Sequence, residues 1–348
     1  MKAIRFYGPN DLRVEEVDIP PLKPDEVRIN VKAAGICGSD ILLISGGVSA
    51  KDAGVSEKGI IGHEFSGVIT EIGSNVKGFH IGDEVAIHPQ LFCGNCYYCK
   101  KGQFIFCKEW RTYGYQYPGG FAEYVNVKAS NVIHKPKNLS FEEVALLDPL
   151  SCGLHGVHRA NINLTESIAI IGCGTIGLSV LTCAKAVKVR RIYAIDLIND
   201  RLKIAKEMGA DECINSKYGD PVEKILELTN GEGVDVIFEA VGGSAETIQL
   251  AMKIVRKGGR IVYLGWFTEP KLISLVDNWK KEVSLIPSYV WGFWNGIDEF
   301  RIALDMLARR EVDIRKIITH RFPLEEIMKA LELINKKEEN VIKVILNP

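Results

Sequence analysis

The sequence predicts an α/β chain in which an all-β lobe precedes a doubly wound parallel sheet, and three stretches carry that expectation. Residues 1–90 run in short alternating segments such as EVRINVKAAG and FSGVITEIG, cut by Gly, Pro, Asn and Asp, which is the pattern of half-buried strands. From residue 167 the pattern changes to buried apolar runs, SIAII, RIYAI, VDVIFEA and RIVYLGW, separated by amphipathic segments, as parallel strands with crossover helices require. Between the two lies FCGNCYYCKKGQFIFC, a cysteine-rich lobe.

The parallel part opens on SIAIIGCGTIG. Its apolar run is too short for a helix and reads as a strand buried on both faces; Gly172, Gly174 and Gly177 then fall at G-x-G-x-x-G spacing. Gly172 permits the tight turn, Gly174 lets the backbone approach a pyrophosphate, and Gly177 brings the helix starting near Thr175 against its strand. That helix N-terminus offers unpaired N–H groups and the positive end of a dipole to the phosphates. Ile176, inside the motif, is counted with the cofactor-binding residues. The next strand ends on Asp196, placed to take the adenosine ribose hydroxyls. A carboxylate there repels a 2′-phosphate, so NAD is expected over NADP. Arg201 lies five residues on, where it can host a 2′-phosphate, lie along the adenine or pair with Asp196. The chain then continues strand, helix, strand through EVSLIPSYV, making six strands. Val241, with its following glycines, and Leu264, Gly265 and Trp266 end two of these strands, so they and 287–289 should line the nicotinamide half.

Cys93, Cys96, Cys99 and Cys107 form C-x2-C-x2-C-x7-C. Four thiolates in one compact loop suit a closed tetrahedral zinc, and a zinc with no open position is structural. A redox C-x-x-C pair or an iron–sulfur site suits the loop and its Gly, Lys and Tyr less well. A zinc-finger nucleic-acid module is disfavoured because no basic helix follows.

In the β lobe, GICGSD puts Cys37 and Ser39 just after a strand and GHEFSG puts His63 and Glu64 at the start of another. Thiolate, imidazole and carboxylate are all zinc ligands, although a lone Cys is usually a small buried hydrophobe. Further on, Ser140 and Glu143 form a capping box that opens a helix. Asp148 precedes the proline that interrupts it, followed by Cys152, His155 and His158. Each has ligand chemistry, but the i, i+3 histidines read as an ordinary packed helix face. Beyond residue 290, a helix, an extended IITHRF, a helix over 323–337 and a closing strand VIKVILN do not extend the nucleotide sheet. The expected division is therefore 1–150 with 291–348 for one domain and 151–290 for the other.

With 43 Lys and Arg against 44 Asp and Glu, the net charge of −1 gives no electrostatic case for nucleic acid or an anionic membrane as partner, which points to a small-molecule substrate. No apolar stretch reaches a membrane span, and MKAIRFYG lacks a signal-peptide layout, so the expected compartment is the cytoplasm. Nine cysteines in such a chain are better explained by metal or reduced thiols than by disulfides.

Together, GHEFSGVITEIG, the four-cysteine lobe, GGFAEY, IGCGTIG with Asp196, and ITHRFPLEE resemble the zinc-dependent medium-chain alcohol dehydrogenases over nearly the whole chain. GICGSD and DPLSCGLHG look closest to the polyol branch represented by sorbitol dehydrogenase, with L-threonine dehydrogenase as neighbour. The resemblance implies a GroES-like β-barrel catalytic domain, a Rossmann domain, an active site in the cleft between them, NAD and two zinc ions per chain. It implies that Cys37 and His63 bind a catalytic zinc, with Glu64 as ligand or exchange partner. Asp148 stands where the family places a further Cys or Glu ligand; being shorter than Glu, it can act through water, and Cys152 is the reserve for that position. The four clustered cysteines match the family's structural zinc. Relatives are commonly dimers or tetramers, so a homodimer or homotetramer is expected.

One position departs from the pattern. Many polyol and threonine dehydrogenases have a proton-relay histidine three residues after the Ser/Thr of GICGSD, where this chain has Leu42. Ser39 would then pass the proton outward by a shorter path. The expected activity is NAD-linked oxidation of a secondary alcohol on a polyol or cyclic polyol, reversible to the ketone, with L-threonine as the alternative substrate. Outside that class stand a zinc-free quinone or enoyl reductase and a non-catalytic dinucleotide-binding scaffold. Neither has a use for the full set of ligand types seen here.

Overall fold

The alternating run at 26–35 forms the ten-residue strand Glu26–Gly35, and a seven-stranded sheet is built on it in the computed structural model, which describes residues 1–294, 296–336 and 341–348. Val27, Ile29 and Val31 lie wholly buried on one face, as strand periodicity dictates. Antiparallel partners are Glu64–Ile72, Tyr124–Lys128 and, at the C-terminal end, Lys343–Asn347. The register sets Gly35 opposite both Glu64 and Ile345, so residues nearly 300 positions apart meet at one strand end. No side chain fits at position 35, because a Cβ there would stand 2.2 Å from Glu64 Oε2.

Two short helices interrupt this lobe where only strands were expected, Gly38–Ile44 and Ala50–Ala53. The first is opened by Asp40, whose Oδ2 accepts from the Cys37 N–H at 2.9 Å, a capping arrangement at N-cap and N3. Ser49 caps the second. The capping box at Ser140 and Glu143 starts the helix Phe141–Ala145 as anticipated, and the helix Leu147–Ala160 follows after a break at Leu146. Pro149 falls in its first turn, where a missing N–H costs nothing.

The chain divides into Met1–Asp148 with Ile318–Pro348, and Pro149–Ile317. The return to the first unit thus comes at 318, not at the expected 291. Residues 291–317 stay with the second unit because the helix Glu299–Ala308 buries Phe300, Ala303, Leu304 and Leu307, and Trp291 stacks on Phe300 at 5.5 Å. The helix expected over 323–337 is seen as Ile327–Asn335, and Lys337 lies outside the described residues.

In the second unit, six parallel strands run in the order Glu212–Asn215, Arg191–Asp196, Ser167–Ile171, Val234–Glu239, Val255–Tyr263, Ser284–Pro287. This is the doubly wound Rossmann sheet, with its switch point between Ser167–Ile171 and Val234–Glu239. The segment ETIQLAMKIVRKGG was expected to be helical to its glycines, but the helix Thr247–Ile254 ends early. Val255 already pairs with Val234, and Gly258, at φ +67°, sits in the irregularity that follows. Among the described residues, no helix is long and apolar enough to cross a membrane.

Candidate active site

In the first unit the strand and turn ends described above bring Cys37, His63 and Glu64 together, with one ligand atom of each within 4.8 Å of the others. Cys37 is the N-cap of Gly38–Ile44, and Glu64 opens its strand with His63 one residue before. Asp40 supports the group and escaped the sequence reading. Wholly buried, it binds the Cys37 N–H through Oδ2, and its Oδ1 stands 3.5 Å from His63 Nδ1. Neither of those facing atoms has a hydrogen-bond partner among the described residues. With Nδ1 turned to a carboxylate, Nε2 is the nitrogen left for a metal, the usual second-layer arrangement of a ligating histidine. Burial acts to lower the imidazole pKa, but the charges of Asp40 and Cys37 outweigh it and hold it well above its ordinary value.

Glu64 is not free to turn. Both its oxygens accept from Lys343 Nζ, at 2.8 and 2.7 Å, and the same ammonium bonds the Ile36 carbonyl at 2.9 Å. Lys343 is 2% exposed and Glu64 1%. Burial alone would lower the lysine pKa; Glu64, with Cys37 and Asp40, keeps it raised. Sequence spacing gave no sign of Lys343, which enters from the far end of the chain.

Asp148 lies outside the Cys37, His63, Glu64 group. It senses that group nonetheless: burial, opposed by His63 and reinforced by Glu64, pushes its carboxyl up to about 7. Cys152 is not part of the group either, and the division between units falls just after Asp148, within their shared helix. Ser39 occupies the first turn of Gly38–Ile44, within hydrogen-bonding reach of Tyr115, whose ring lies 5.6 Å from that of His63. Of the tyrosines at 113–117, then, Tyr115 faces the site. Tyr113 is core, its hydroxyl accepting from the Lys128 N–H at 2.9 Å.

The four-cysteine lobe is closed at its base by the pairing of Gln90–Leu91 with Arg111–Thr112. Its sulfurs all lie within 4.8 Å of one another, with Cys93 3.5 Å from Cys107 and 3.9 Å from Cys99. A tetrahedron with metal–sulfur bonds of about 2.3 Å has edges of about 3.8 Å, so the spacing fits an ion. It is far too long for a disulfide, and all nine cysteines are free. Backbone N–H groups of Cys93, Cys96 and Glu109 point at sulfur at 3.3–3.4 Å, as thiolates need. The N–H groups of Cys99 and Lys108 bring the Cys96 thiol down to about 6, while burial pushes Cys99 up to about 12.

In the second unit, Gly172 has φ +93° and packs against Val241, and a Cβ on Gly177 would stand 1.8 Å from the Gly172 carbonyl oxygen. A Cβ on Gly174, the N-cap of Thr175–Ala186, would meet only Arg201 Nη1, at 3.9 Å. That is the open approach a pyrophosphate requires, with Ile176 in the following turn. Asp196 accepts from the Cys173 N–H at 2.6 Å and the Ile198 N–H at 2.9 Å, which fixes it at the mouth of the motif. Val241 and Trp266 are about half exposed, Gly265 packs on Gly242, and Leu264 packs on Gly156. Glu239, also missed in sequence, holds this loop: its Oε1 accepts from Val241 N–H, Gly242 N–H and Thr247 Oγ1.

Comparison with known proteins identifies the family. Residues 23–137 match the alcohol dehydrogenase GroES-like domain and residues 175–309 the zinc-binding dehydrogenase domain. The chain is 34% identical to an erythritol/L-threitol dehydrogenase of Mycolicibacterium smegmatis, covering all of this chain and 98% of that one. It is 32% identical to a sorbitol dehydrogenase of Bacillus subtilis (100% and 97% covered) and 33% identical to an L-threonine 3-dehydrogenase of Bacillus licheniformis (100% and 99%). A zinc-binding dehydrogenase of Sinorhizobium meliloti, solved bound to NADP, superposes with a TM-score of 0.92 at 30% identity, covering 100% of this chain and 99% of that one. The chain belongs to the zinc-dependent alcohol dehydrogenase family and is an oxidoreductase, built of a GroES-like and a Rossmann domain.

Proposed function

We propose that this chain catalyses the reversible NAD-linked oxidation of a secondary hydroxyl of a polyol or cyclic polyol to the ketone. The observation that carries the reading is the gathering of Cys37, His63 and Glu64, three ligand types from two separate parts of the chain, in a family whose relatives include polyol dehydrogenases. Three donors, with no fourth in the group among the described residues, are the composition of a catalytic zinc site, whereas the four cysteines make a closed, structural one. Zinc held by Cys37, His63 and Glu64 supplies Lewis acidity that brings the pKa of a substrate hydroxyl towards neutrality. Asp148 acts through water. Beside a bound dication it is held as the carboxylate that such a water needs. Ser39 passes the substrate's proton outward, accepting it at its hydroxyl oxygen as it releases its own hydroxyl proton towards solvent, and with Leu42 in place of a histidine, Tyr115 bounds that path on the inner side.

The cofactor is NAD rather than NADP because Asp196 presents a carboxylate to the ribose. Gly172, Gly174, Ile176, Gly177 and Arg201 take the phosphates and adenosine, and Val241, Leu264, Gly265 and Trp266 the nicotinamide half. L-threonine is the second reading, favoured by the L-threonine 3-dehydrogenase relative and weakened by Leu42. The chain works as a homodimer or homotetramer in the cytoplasm, where cysteines stay reduced and available to metal.

The test is His63→Ala, with Cys37→Ala beside it. Turnover should fall at least ~10³-fold, as loss of several kcal/mol of metal assistance implies, and bound zinc should drop by one ion per chain while NADH binding persists. Retained turnover in the folded variant removes the mechanism. A screen of polyols, L-threonine and simple alcohols with NAD and NADP identifies the substrate.

A further inference from the structure

The turn that follows the strand Val234–Glu239 has little in its own backbone to hold its shape. Gly242 and Gly243 lie in the left-handed region at φ +65° and +61°, and two successive glycines are free to leave it. What fixes the turn is Glu239, the last residue of the strand and wholly buried. Its Oε1 accepts three bonds, from the Val241 N–H at 2.9 Å, the Gly242 N–H at 3.0 Å and the Thr247 hydroxyl at 2.7 Å. Thr247 opens the helix Thr247–Ile254, which buries Ile248, Ala251 and Ile254, so the carboxylate fastens the turn to a packed element. The main chain of the same residue holds the neighbouring turn, because the Glu239 carbonyl accepts from the Leu264 and Gly265 N–H groups at 2.8 and 3.1 Å. The two turns also join directly, the Gly243 N–H donating to the Trp266 carbonyl at 2.7 Å.

The second oxygen shows that Glu239 does more than fill space. Oε2 is buried with no hydrogen-bond partner among the described residues. Stranding a carboxylate oxygen costs free energy that an apolar side chain of the same size would not, and the three donors gathered on Oε1 are what offset it. Gly265 makes room for the stranded atom: a Cβ there would stand 2.5 Å from Oε2 and 2.3 Å from the Gly242 nitrogen. We propose that Glu239 is a positioning residue for the cofactor, holding the turns 241–243 and 264–266 in the one mutual arrangement that receives the nicotinamide half. Being wholly buried, it acts through the turns and not by contact. The half-exposed Val241 and Trp266 are the surfaces it presents. The adenosine and phosphates are assigned to other residues, around Gly172–Gly177 and Asp196, so loss of Glu239 should fall on one half of the dinucleotide and spare the other.

The inference rests on the NAD reading of the proposed function, and the experiment separates the two. Isothermal titration calorimetry of the zinc-loaded full chain compares NADH with ADP-ribose, which carries the adenosine and both phosphates but no nicotinamide. Glu239→Met keeps the bulk and removes the acceptor. It should raise the NADH Kd at least ~10-fold, as unpairing of buried donors implies, and leave that of ADP-ribose within ~2-fold. Glu239→Gln keeps an oxygen for all three donors and should return NADH binding to within ~3-fold of the unmodified chain. Thr247→Val removes one bond of the three and should weaken NADH ~3-fold with ADP-ribose unmoved; it carries the test if far-UV circular dichroism shows Glu239→Met unfolded. Equal losses for the two ligands in a folded variant mean that Glu239 supports the unit as a whole, and overturn the proposal. So does an unchanged NADH affinity, or a Gln variant as weak as the Met one, which takes the effect away from these hydrogen bonds. If the unmodified chain binds ADP-ribose as tightly as NADH, the two turns do not hold the nicotinamide half and the proposal falls alone. If it binds neither, the NAD reading fails and the proposal with it.

Discussion

The two metal-type constellations of the first unit are built by opposite routes. The cysteine lobe draws all four candidate ligands from one stretch of fifteen residues, folds around them with little regular structure and supports the sulfurs with its own backbone N–H groups. The Cys37, His63, Glu64 group draws on two separate turns and is buttressed by Asp40 and by Lys343, some 280 residues from Glu64 along the chain. The first arrangement has the composition of a closed metal site and the second that of an open one, with a buried ion pair orienting one of its candidate ligands; we propose that stability rests on the one and chemistry on the other.

The largest expected effect breaks the local site. Cys107→Ser removes one corner of a tetrahedron around which the lobe has almost no apolar core of its own. Zinc should fall from two ions to one per chain, thermal stability should drop by several kcal/mol, and the segment 92–110 should become a protease target. Differential scanning calorimetry with metal analysis checks this. If Cys37→Ala costs as much stability as Cys107→Ser, the division of labour is wrong.

Lys343→Met tests the long-range site. Removing one partner of a buried ion pair leaves Glu64 charged and unpaired, at an expected cost of about 3–5 kcal/mol. A bound dication partly offsets that charge, so the loss should be greater after chelator treatment than with zinc present. Equal losses in the two states, measured by urea unfolding, would show that Glu64 does not face the metal.

This contrast also explains how much could be read from the chain alone. The cysteine lobe, the G-x-G-x-x-G turn, the alternation of six strands with helices and the strand 26–35 are local patterns, and local patterns survive in one dimension. Asp40 had a local sign, its position three residues after Cys37 at capping-box spacing, and could have been found. Lys343 had none, because its partner is set by the parallel and antiparallel register of a closing strand. The domain return at 318 was hidden for a similar reason. Nothing in IDEFRIALDMLARR tells which unit its apolar face covers, and the answer lies in Glu299 meeting His155 and His158 on another helix.

That third gathering of ligand-type side chains sharpens the comparison, because it has no room for an ion. Glu299 accepts directly from His155 Nδ1 and His158 Nδ1, each at 2.7 Å, and from the Gly292 N–H at 2.6 Å. Burial acts to raise its pKa, but the bonds from His155 and His158 prevail and bring it to about 2. A depressed carboxylate stabilises the fold above its unfolded pKa, and that contribution is lost as pH falls through about 2. Glu299→Gln should therefore cost ~3 kcal/mol at neutral pH, with the gap from the unmodified chain constant down to pH ~4.5 and closing below it. Chelator should leave the gap unchanged in denaturation curves, unlike that of Lys343→Met.

The smallest effect separates a ligand from its support. Asp40→Asn keeps the shape and the bond to the Cys37 N–H in reach but removes the negative charge 3.5 Å from His63 Nδ1. Loss of such a support typically weakens a metal site 10–100-fold, or about 1.4–2.7 kcal/mol, without unfolding the chain. Competition with a chromophoric chelator should thus show two classes of zinc, one released earlier in the variant and one unmoved. The unmoved class belongs to Cys93, Cys96, Cys99 and Cys107, which share no side chain with Asp40. If both classes shift together, the two sites are coupled through the lobe's fold and cannot be assigned separate tasks.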